Sequence, residues 1–543
     1  MLVAFIFYSL LFVLLVVSPA VLMLVVLLFL DHERKLWQRA ALVIGPIGRL
    51  VKKNSAVVAA AGRWPRTMRF FAHRLDPRDP WGLSATLAGI VMFVGLWFFL
   101  GVLQDLVAKD PLATLDIRLH NLMPLFRTPA MTQLMLVFTG LGSAPVLSLL
   151  CLGIALRALA SGRPRLAVTF VLALGGTGVI SMSLKTLIGN IRPIDALISL
   201  QNASFPSGHM LSGAVVYGLL AAVLLSSQVR DGARALGFTL LLLLIVGIGL
   251  SRLYLGVHWP SDILGSLALA LIGIAASLFF LYYPQPIQFI DSLKLPLSAR
   301  VVGMASSTAL VAALGATAIL SSQTQINRVE PPQASLLLDS QVLRATLPPG
   351  LPGWSEDLIG GRMEPISLVL VGSEKDVLQA LTRAGWVRAD PPTPVRVLQE
   401  GLAAARNLPD PQGPATPAFF MDWPQSFTFE KSDLNSDLDP PNIRRRHHTR
   451  VWRTSYCLVP HCRRVWVATA SLDVGIRLSE SLHLPTHRIA PALDNERALI
   501  AAELVHAGAT LEGSITVTPP LHSKNAAGDP FWTDGRAVLL VMP

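Results

Sequence analysis

The chain has 543 residues, of which 52% are hydrophobic and 15% are charged, and its formal net charge is +11 at pH 7. A soluble globular protein carries a larger charged share, so this composition argues against a soluble fold for most of the chain. The positive charge does not indicate a nucleic-acid partner, because no nucleic-acid-binding module is recognisable and membrane proteins collect basic residues beside their cytoplasmic span ends.

The chain begins with an apolar segment, Met1–Leu30, that lacks the positive start of a cleaved signal peptide. It predicts an uncleaved membrane anchor, tilted or broken near Pro19, because it is longer than one simple span requires. Asp31–Pro80 then mixes basic and apolar residues in helical patches. That pattern fits helices lying on the cytoplasmic membrane surface, and it also fits a solvated linker.

Seven further apolar runs have the length of a membrane-crossing helix, so we expect about eight spans in all. Loops rich in arginine and lysine alternate with loops that lack them, which assigns the basic loops to the cytoplasm. The predicted spans are Leu83–Gln104, Thr132–Ala158, Arg165–Lys185, His209–Ser226, Ala235–Leu253, Ser261–Tyr283 and Val301–Ser321. The basic loops carry Arg157, Arg163, Arg165, Arg230, Arg234, Lys294 and Arg300.

The opposite side of the membrane is predicted to hold Asp105–Met131, Gly189–Gly208, the turn around His258 and the whole region after Ser322. A bacterial inner membrane with these segments on its periplasmic or extracellular side fits this arrangement.

After Ser322 the sequence changes to a polar linker and then to a soluble pattern. Val465–Val474 and Ala537–Pro543 predict strands, and Asn495–Gly508 predicts a helix that ends at glycine. We therefore expect a mostly α protein, with a polytopic transmembrane helix bundle followed by a soluble α/β domain. The predicted division is 1–82 for the anchor and cytoplasmic segment, 83–285 for the membrane-embedded domain, 286–330 for the last span and linker, and 331–543 for the soluble domain.

The chain contains three cysteines. Cys151 lies in an apolar run, as a small buried side chain would. Cys457 and Cys462 are close enough in sequence to form a disulfide, and two free thiols are the alternative. If the soluble domain lies outside the cytoplasm, the oxidising environment favours the disulfide.

Three stretches concentrate polar residues at span ends on the predicted outer side. Single lysines or arginines at such ends often only extend their charge to the interface, but the positive-inside rule does not account for several cations on the outer side beside two histidines and an aspartate. The stretches are KTLIGNIRP with Lys185, Arg192 and Pro193, PSGH at Pro206–His209, and SRLYLGVHWPSD with Ser251, Arg252, His258 and Asp262.

The first two stretches predict an anion site. Lys185 and Arg192 are two helical turns apart and would share one helix face, with Pro193 ending that helix. Ser207 is a favourable N-cap for a helix that continues from His209, and helix-start amides suit phosphate oxygens. Gly208 would allow a ligand to approach the backbone closely.

The third stretch predicts a histidine paired with a carboxylate. His258 and Asp262 are four residues apart, so on a helix their side chains would meet. A carboxylate that holds one imidazole N–H fixes the tautomer and leaves the other nitrogen as a nucleophile. A pair of this kind standing alone would more often be an ordinary capping contact.

The three stretches together resemble the signature motifs of the type 2 phosphatidic acid phosphatase superfamily, which also includes vanadium haloperoxidases. The resemblance covers roughly residues 83–285, and every motif position is filled in order. It implies that His258 attacks phosphorus, that Asp262 orients His258, and that His209 protonates the leaving oxygen. It also implies that no metal and no cofactor is needed. The phosphoryl oxygens would be held by Lys185, Arg192, Ser207, Gly208 and Arg252.

A second resemblance concerns the C-terminal region, where Arg444–Tyr456 and the sequence after it look like an LssY-type C-terminal domain. Its basic residues could bind an anionic lipid or sugar, but a solvated and partly packed basic face is the more ordinary interpretation. His447 and His448 do not predict a metal site, because neighbouring strand residues point to opposite faces. The basic cluster comprises Arg444, Arg445, Arg446, His447, His448 and Arg450.

These patterns predict an integral membrane phosphatase that acts on a lipid phosphate or isoprenoid diphosphate at the outer face through a phosphohistidine. The expected partners are a membrane lipid substrate and the bilayer, with no nucleic acid. A lipid phosphotransferase that passes the phosphoryl group to an alcohol is the alternative within the same chemistry. A transporter or scaffold with a relic site is the alternative of another class, and the intact motifs argue against it.

Overall fold

The computed structural model describes residues 62–74, 81–108, 111–227, 229–282, 288–293, 299–323, 336–348, 350–391, 394–406, 408, 410, 412–432, 445–480 and 485–543. The predicted Met1–Leu30 anchor, most of Asp31–Pro80 and Arg444 lie outside these residues.

The chain forms two compact units. The first, the membrane unit, contains the described residues of Phe12–Ala108 and Thr128–Arg328. The second, the C-terminal unit, contains those of Lys109–Arg127 and Val329–Pro543. The segment between the first two predicted spans after the anchor therefore folds with the C-terminal unit.

The membrane unit is helical, and six of its described helices are long and apolar enough to cross a membrane. Two helices joined at a bend of 49° pass the same test together and form a candidate seventh span. All seven spans predicted after the anchor thus have a counterpart. The helices are α1 (Pro65–Arg74), α2 (Leu83–Ala108), α4 (Pro129–Leu141), α5 (Ala144–Ala160), α6 (Pro164–Ile188), α7 (Gly208–Leu225), α8 (Asp231–Tyr254), α9 (Pro260–Leu281), α10 (Gln288–Asp291) and α11 (Ala299–Gln323), while α3 (Pro111–Leu122) belongs to the C-terminal unit.

The predicted continuous span Thr132–Ala158 is wrong in one respect, because the helix breaks between α4 and α5. Gly142 ends α4, and Pro145 occupies the first turn of α5, where a missing N–H costs nothing. Gly142 is also a close-packing site, since a Cβ there would lie 2.8 Å from the Ile248 side chain. Gly142 therefore lies at the bend and also lets α4 pack closely against α8.

The motif-bearing helices pack on one another. α7 packs against α8 and α9, and α9 also packs against α2. The contact of α2 with α9 is close at Gly95, where a Cβ would lie 2.8 Å from the Ala268 carbonyl oxygen. Phe205, fully buried, packs beside Phe99 and Ala268 under the loop that leads into α7.

The C-terminal unit is built on a nine-stranded sheet among the described residues. Its strands are β1 (Leu336–Leu338), β4 (Leu368–Val371), β5 (Val387–Arg388), β8 (Phe427–Ser432), β9 (Arg445–Leu458), β10 (Arg463–Leu478), β11 (Pro485–Ile489), β12 (Thr510–Thr516) and β15 (Arg536–Val541). Their order in the sheet is β12-β15-β4-β10-β9-β8-β5, with β1 beside β9 and β11 beside β10. Smaller sheets pair β2 (Trp354–Glu356), β3 (Arg362–Pro365), β6 (Phe419–Phe420) and β7 (Trp423–Pro424), and separately β13 (Leu521–Lys524) with β14 (Pro530–Thr533).

Strand alternation gives the main sheet two buried faces. Trp466 and Ala468 belong to one apolar cluster, whereas Val465 and Val467 belong to the other. This is the two-residue period of a strand covered on both sides. The helices of the unit, besides α3, are α12 (Ser340–Ala345), α13 (Glu374–Arg383), α14 (Pro394–Ala405) and α15 (Leu493–His506). The predicted strands near 465 and 537 and the predicted helix near 495 are confirmed.

Helix α3 is fixed to the C-terminal unit by buried polar contacts. Arg118, which is 3% exposed, donates from Nε to Asp422 Oδ1 at 2.8 Å and also contacts Glu356 and the Asp357 carbonyl oxygen. Asn121 donates to the Asp422 carbonyl oxygen at 2.8 Å. An arginine buried between two carboxylates has its charge compensated. The sequence predicted only a loop here, without its partner.

Candidate active site

The three motifs lie at neighbouring helix ends of the membrane unit. Lys185 is in the last turn of α6, Ser207 precedes α7, and Arg252 is in the last turn of α8. His258 and Asp262 lie before and within the first turn of α9. Direct bonds join these ends, so the structure brings the predicted site residues together.

The imidazole of His258 lies between a carboxylate and a guanidinium. Its Nδ1 is 3.0 Å from Asp262 Oδ2, and its Nε2 is 3.2 Å from Arg192 Nη1. A carboxylate can only accept and a guanidinium can only donate, which assigns the proton to Nδ1 and the lone pair to Nε2. Both His258 and Asp262 are buried.

The contact between these two residues does not arise from two positions within one helix, as the spacing predicted. His258 precedes α9, and Asp262 caps the helix start by accepting from the Trp259 amide at 2.9 Å. One carboxylate therefore both caps the helix and holds the imidazole.

Asp262 has further partners that the motif spacing did not indicate. Its Oδ1 accepts from the Ser204 hydroxyl at 3.3 Å and from the Asn190 amide at 3.5 Å. The Ser204 amide in turn donates to the Asn190 carbonyl oxygen at 2.8 Å. These bonds fix the orientation of the carboxylate. No sequence pattern identifies Ser204 or Asn190 as a partner of Asp262, because both residues lie in loops that become neighbours of Asp262 only in the folded chain.

The prediction that Lys185 and Arg192 share a helix face is wrong. Helix α6 ends at Ile188, and Gly189 follows with φ of 64°, a left-handed conformation suited to glycine. The helix stops there and not at Pro193, and Arg192 lies in the loop. The two cations still converge, because both donate to the Ala203 carbonyl oxygen.

Arg192 is held by a set of backbone and side-chain acceptors. Its Nε donates to the Asn202 carbonyl oxygen and its Nη2 to Asn202 Oδ1, both at 2.7 Å, and its Nη1 donates to the Val257 carbonyl oxygen. Lys185 Nζ also donates to the Ser204 carbonyl oxygen at 3.0 Å. These contacts keep two positive charges beside the imidazole with their positions fixed.

The start of α7 completes the site. Ser207 is the N-cap residue, but its hydroxyl makes no capping bond; it is buried without a hydrogen-bond partner among the described residues. The first amides of α7 have no partner within the helix, which is the ordinary condition of a helix start. Gly208 and the partly buried His209 form its first turn. A buried hydroxyl and helix-start amides suit an anion.

Arg252, 3% exposed, donates to the Thr139 hydroxyl from one terminal nitrogen, and its Nε has no hydrogen-bond partner among the described residues. Thr139 lies on α4, a helix that carries no motif. It positions the guanidinium, and the sequence did not single it out.

The pKa of His258 is lowered well below its ordinary value by burial and then by the positive charges of Arg252, Arg192 and Lys185. The imidazole therefore stays neutral, with the Nε2 lone pair available at ordinary pH. A neutral imidazole beside several fixed cations can attack an electrophile that carries negative charge. Among the residues that the structure describes, no three His, Cys, Asp or Glu side chains are grouped as metal ligands.

In the C-terminal unit, the interpretation of the basic cluster as a solvated face is wrong for three members. Arg446, His448 and Arg450 are buried, and each pairs with a carboxylate. His447 contacts Glu496 while His448 contacts Ser471, so the neighbouring histidines have separate partners. The alternation along β9 separates them as expected for a strand.

Cys457 and Cys462 form a disulfide at the turn between β9 and β10, and Cys151 is buried in α5 as a free thiol. The turn between the two half-cystines joins the longest strands of the sheet.

These features define a multi-pass membrane protein in which two histidines, an aspartate and three cations meet at the ends of four helices. Residues 166–288 match the family model of the PAP2 superfamily, and residues 349–537 match that of the LssY C-terminus. Both resemblances predicted from the sequence are thereby confirmed.

Two curated relatives carry the names of phosphatases. The chain is 28% identical over 190 residues to "Phosphatidylglycerophosphatase B" of Bacillus subtilis (strain 168), which covers 35% of this chain and 91% of the relative. It is 43% identical over 70 residues to "Putative undecaprenyl-diphosphatase YbjG" of Escherichia coli (strain K12), which covers 13% of this chain and 31% of that relative.

One solved structure is also similar, that of a transmembrane PAP2-type phosphatidylglycerolphosphate phosphatase from Bacillus subtilis. It is 23% identical, covers 37% of this chain and 98% of its own, and has a TM-score of 0.32.

Proposed function

We propose that the protein is an integral membrane phosphatase that hydrolyses a lipid phosphate through a phosphohistidine. The observation that carries this proposal is the His258 imidazole, held by Asp262 at Nδ1 and facing Arg192 at Nε2. A nucleophile, its orienting carboxylate and a phosphate-binding cation are thus in direct contact. The similarity of residues 166–288 to the PAP2 superfamily supports the same chemistry.

In the first step, the Nε2 lone pair of His258 attacks phosphorus, a P–N bond forms, and the bond from phosphorus to the leaving oxygen breaks. His209 gives its proton to that oxygen. In the second step, His209 takes a proton from water, the resulting hydroxide attacks phosphorus, and the P–N bond breaks to release phosphate. The Nδ1 proton of His258 stays on the imidazole and is donated to Asp262 in a hydrogen bond throughout, which stabilises the positive charge that the imidazole gains.

The charge that spreads over the phosphoryl oxygens would be stabilised by Lys185, Arg192 and Arg252, together with the Ser207 hydroxyl and the first α7 amides around Gly208. Such preorganised donors lower the barrier because they need no reorganisation during the reaction. We propose that these groups replace a metal ion, so that catalysis is metal-independent.

The substrate is proposed to be an isoprenoid diphosphate, with phosphatidate-type lipids as close competitors. The site lies at span ends, where a lipid headgroup would lie and a soluble sugar phosphate would gain nothing. The loop before PSGH, Ile194–Phe205, contains Asp195 and no lysine or arginine, so its residues alone mildly favour a monophosphate. The preference for a diphosphate rests instead on the relative named as a putative undecaprenyl-diphosphatase, since an exposed β-phosphate could be cleaved while the α-phosphate binds one of the site cations. The relative named phosphatidylglycerophosphatase B supports the competing phosphatidate-type lipids.

We expect the purified chain in detergent micelles to release phosphate with EDTA present, and vanadate to inhibit by mimicking pentacoordinate phosphorus. Undecaprenyl pyrophosphate, phosphatidic acid and phosphatidylglycerol phosphate would be compared by kcat/KM, with the first expected to be highest. A value for undecaprenyl pyrophosphate well below both others would overturn the substrate preference. Strict dependence on Mg²⁺ would overturn metal independence, and phosphate passing to an added alcohol in place of water would make the protein a transferase.

We also propose that the site and the C-terminal unit lie on the periplasmic or extracellular side of a bacterial inner membrane. Helix α3 follows the first described span, yet Arg118 binds carboxylates of the C-terminal region. These two parts of the chain must share a side, which requires an even number of crossings between them. Six crossings result when α4 and α5 count as one bent span. The basic loops at Arg157 and Arg230 then lie on the cytoplasmic side.

An alkaline phosphatase reporter fused after Pro543 should therefore be active in a bacterial host, because that reporter folds only outside the cytoplasm. A fluorescent reporter that matures only in the cytoplasm, fused at the same residue, is the matched control and should be dark. The reverse pair of results would refute this orientation.

A further inference from the structure

A second cavity, distinct from the candidate active site, lies between α5, the start of α6 and α11. It has a volume of about 560 Å³, within the range of small-molecule sites. Its lower wall is apolar, its mouth is polar, and no lining residue is acidic. The lining comprises Leu150, Gly153, Ile154, Arg157, Ala158, Ser161, Arg163, Leu166, Ser306 and Leu310.

The mouth of the cavity carries two arginines, Arg157 and Arg163, and no acidic side chain of the part of the chain that the structure describes forms an ion pair with either of them. Arg157 and Arg163 flank Ser161 in the turn that joins α5 to α6, and all three are exposed. The last carbonyl groups of α5 are already bonded by turn amides, as in the 2.8 Å bond from the Arg163 amide to Ala158. The partial negative charge of that helix end is therefore satisfied locally, and the two guanidinium groups remain available to an anion.

The cavity lies at membrane depth and far from the catalytic residues. Lys185 is about 32 Å from Pro164 along the axis of α6, at about 1.5 Å per residue, so the two sites lie at opposite bilayer faces. Leu150 lies about 10 Å from Arg157 along α5 by the same rise. The polar mouth thus lies at headgroup level, and the apolar wall extends toward the middle of the membrane.

A glycine brings two helices close together beside the apolar wall of the cavity. Gly153 faces α11, where an added Cβ would lie 3.3 Å from the Ser306 carbonyl oxygen and 3.4 Å from Ala309. Beside this close contact, the apolar side chains of Ile154 and Leu310 line the cavity. An alkyl chain fits such a wall, whereas a small soluble anion would use only the mouth.

We propose that this cavity binds an anionic phospholipid of the leaflet opposite the catalytic site. The lipid phosphate would lie between Arg157 and Arg163, within reach of the Ser161 hydroxyl, and one acyl chain would lie along Leu150 and Ile154. Basic pockets between transmembrane helices are suited to anionic headgroups in this way. The second acyl chain would remain in the bilayer, since the cavity volume does not hold a whole diacyl lipid.

The test is native mass spectrometry of the full chain in detergent with equal amounts of phosphatidylglycerol and phosphatidylcholine. We expect the wild type to carry phosphatidylglycerol about tenfold more often, and the double variant Arg157→Gln/Arg163→Gln to lose that preference. Arg66→Gln/Arg230→Gln is the matched control, because it removes two exposed arginines that do not line the cavity. All three proteins retain the catalytic residues, so the difference reports this cavity alone.

A second variant distinguishes binding of the acyl chain from binding of the headgroup. Ile154→Trp keeps both arginines but fills the apolar wall, and it should lower phosphatidylglycerol binding while phosphate release continues, which shows that the protein is folded. Glycerol 1-phosphate should not compete. An unchanged preference in the double arginine variant, or full competition by glycerol 1-phosphate, would overturn the proposal.

Discussion

Replacing His258 with alanine is expected to lower kcat by at least about 10³-fold, because the protein then has no nucleophile to form the phosphoenzyme. The fold should persist, since the imidazole precedes α9 and the Asp262 carboxylate still caps the helix through the Trp259 amide. Phosphate release from the preferred lipid would measure the loss, and thermal unfolding would verify the fold.

The phosphohistidine itself provides a sharper test than turnover. Rapid acid-free quenching with a ³²P-labelled substrate should trap a base-stable, acid-labile phosphoenzyme in the wild type and none in His258→Ala. His506→Ala is the matched control, because His506 is exposed at the end of α15 in the C-terminal unit and should leave the phosphoenzyme unchanged. A folded His258→Ala protein with near-normal turnover would show that another group attacks phosphorus.

The site could be predicted from the sequence because its side chains are cationic, nucleophilic or acidic, and residues of these types at fixed spacings indicate phosphate chemistry even without a structure. Motif spacing predicts a common site for Lys185, Arg192, His209, His258 and Asp262, and the structure does bring together the helix ends and loops that carry them. The course of the backbone between Lys185 and Arg192 was harder to predict. The sequence predicts that the helix ends at Pro193, whereas α6 ends earlier, at Gly189 with its left-handed φ. Glycine is common in many contexts, so its role as a helix end depends on the local backbone.

Residues that act through others escaped the sequence analysis. Ser204 and Asn190 hold Asp262, and Thr139 holds Arg252, yet none of these types is rare or restricted to catalytic positions. Their roles depend on distances between loops and helices that are remote in the chain. The same is true of Arg118, whose carboxylate partners lie more than 200 residues away, at separations of 238 and 304 residues.

Burial was also difficult to predict from the sequence for the basic residues at the start of β9. A run of arginine and histidine side chains resembles a solvated strand face when the partners of these side chains are unknown. The acids that neutralise Arg446 are supplied by other elements: Glu430 from β8, Asp473 from β10 and Glu400 from α14. A sequence pattern records the charge of one strand but not the charges that pack against it.

This buried cluster leads to the largest expected effect on stability. Arg446 Nη1 is 2.6 Å from Glu430 Oε2, Nε is 3.4 Å from Asp473 Oδ2, and Nη2 is 3.6 Å from Glu400 Oε1. Arg446→Met keeps the unbranched stem of the side chain but removes the guanidinium group, which leaves buried carboxylates without their cation. We expect the free energy of unfolding of the C-terminal unit to fall by about 3–5 kcal/mol.

Hydrogen exchange of peptides from β9 and β10 in the full chain would measure this loss, because it reports the unit without isolating it. Arg488→Met is the matched control, since Arg488 is exposed on the neighbouring strand β11 and should change the exchange little. Protection equal to the wild type in Arg446→Met would mean that the cluster contributes nothing to stability.

The pH dependence distinguishes lost charge compensation from lost packing. Burial raises the pKa of Glu430 to about 8, even though Arg446 acts in the opposite direction, so removing the arginine should raise it further. A carboxyl group with a folded-state pKa above its unfolded value binds a proton on folding, and its contribution to stability is lost as the pH rises through the folded pKa. Below a pH of about 8 the folded wild type and the folded variant both keep this proton, so the extra loss should develop only above it. The variant should therefore be destabilised more at about pH 9.5 than at about pH 7, and Glu430→Gln combined with Arg446→Met should recover part of the stability at the higher pH. A loss that is equal at both pH values would assign the effect to packing alone.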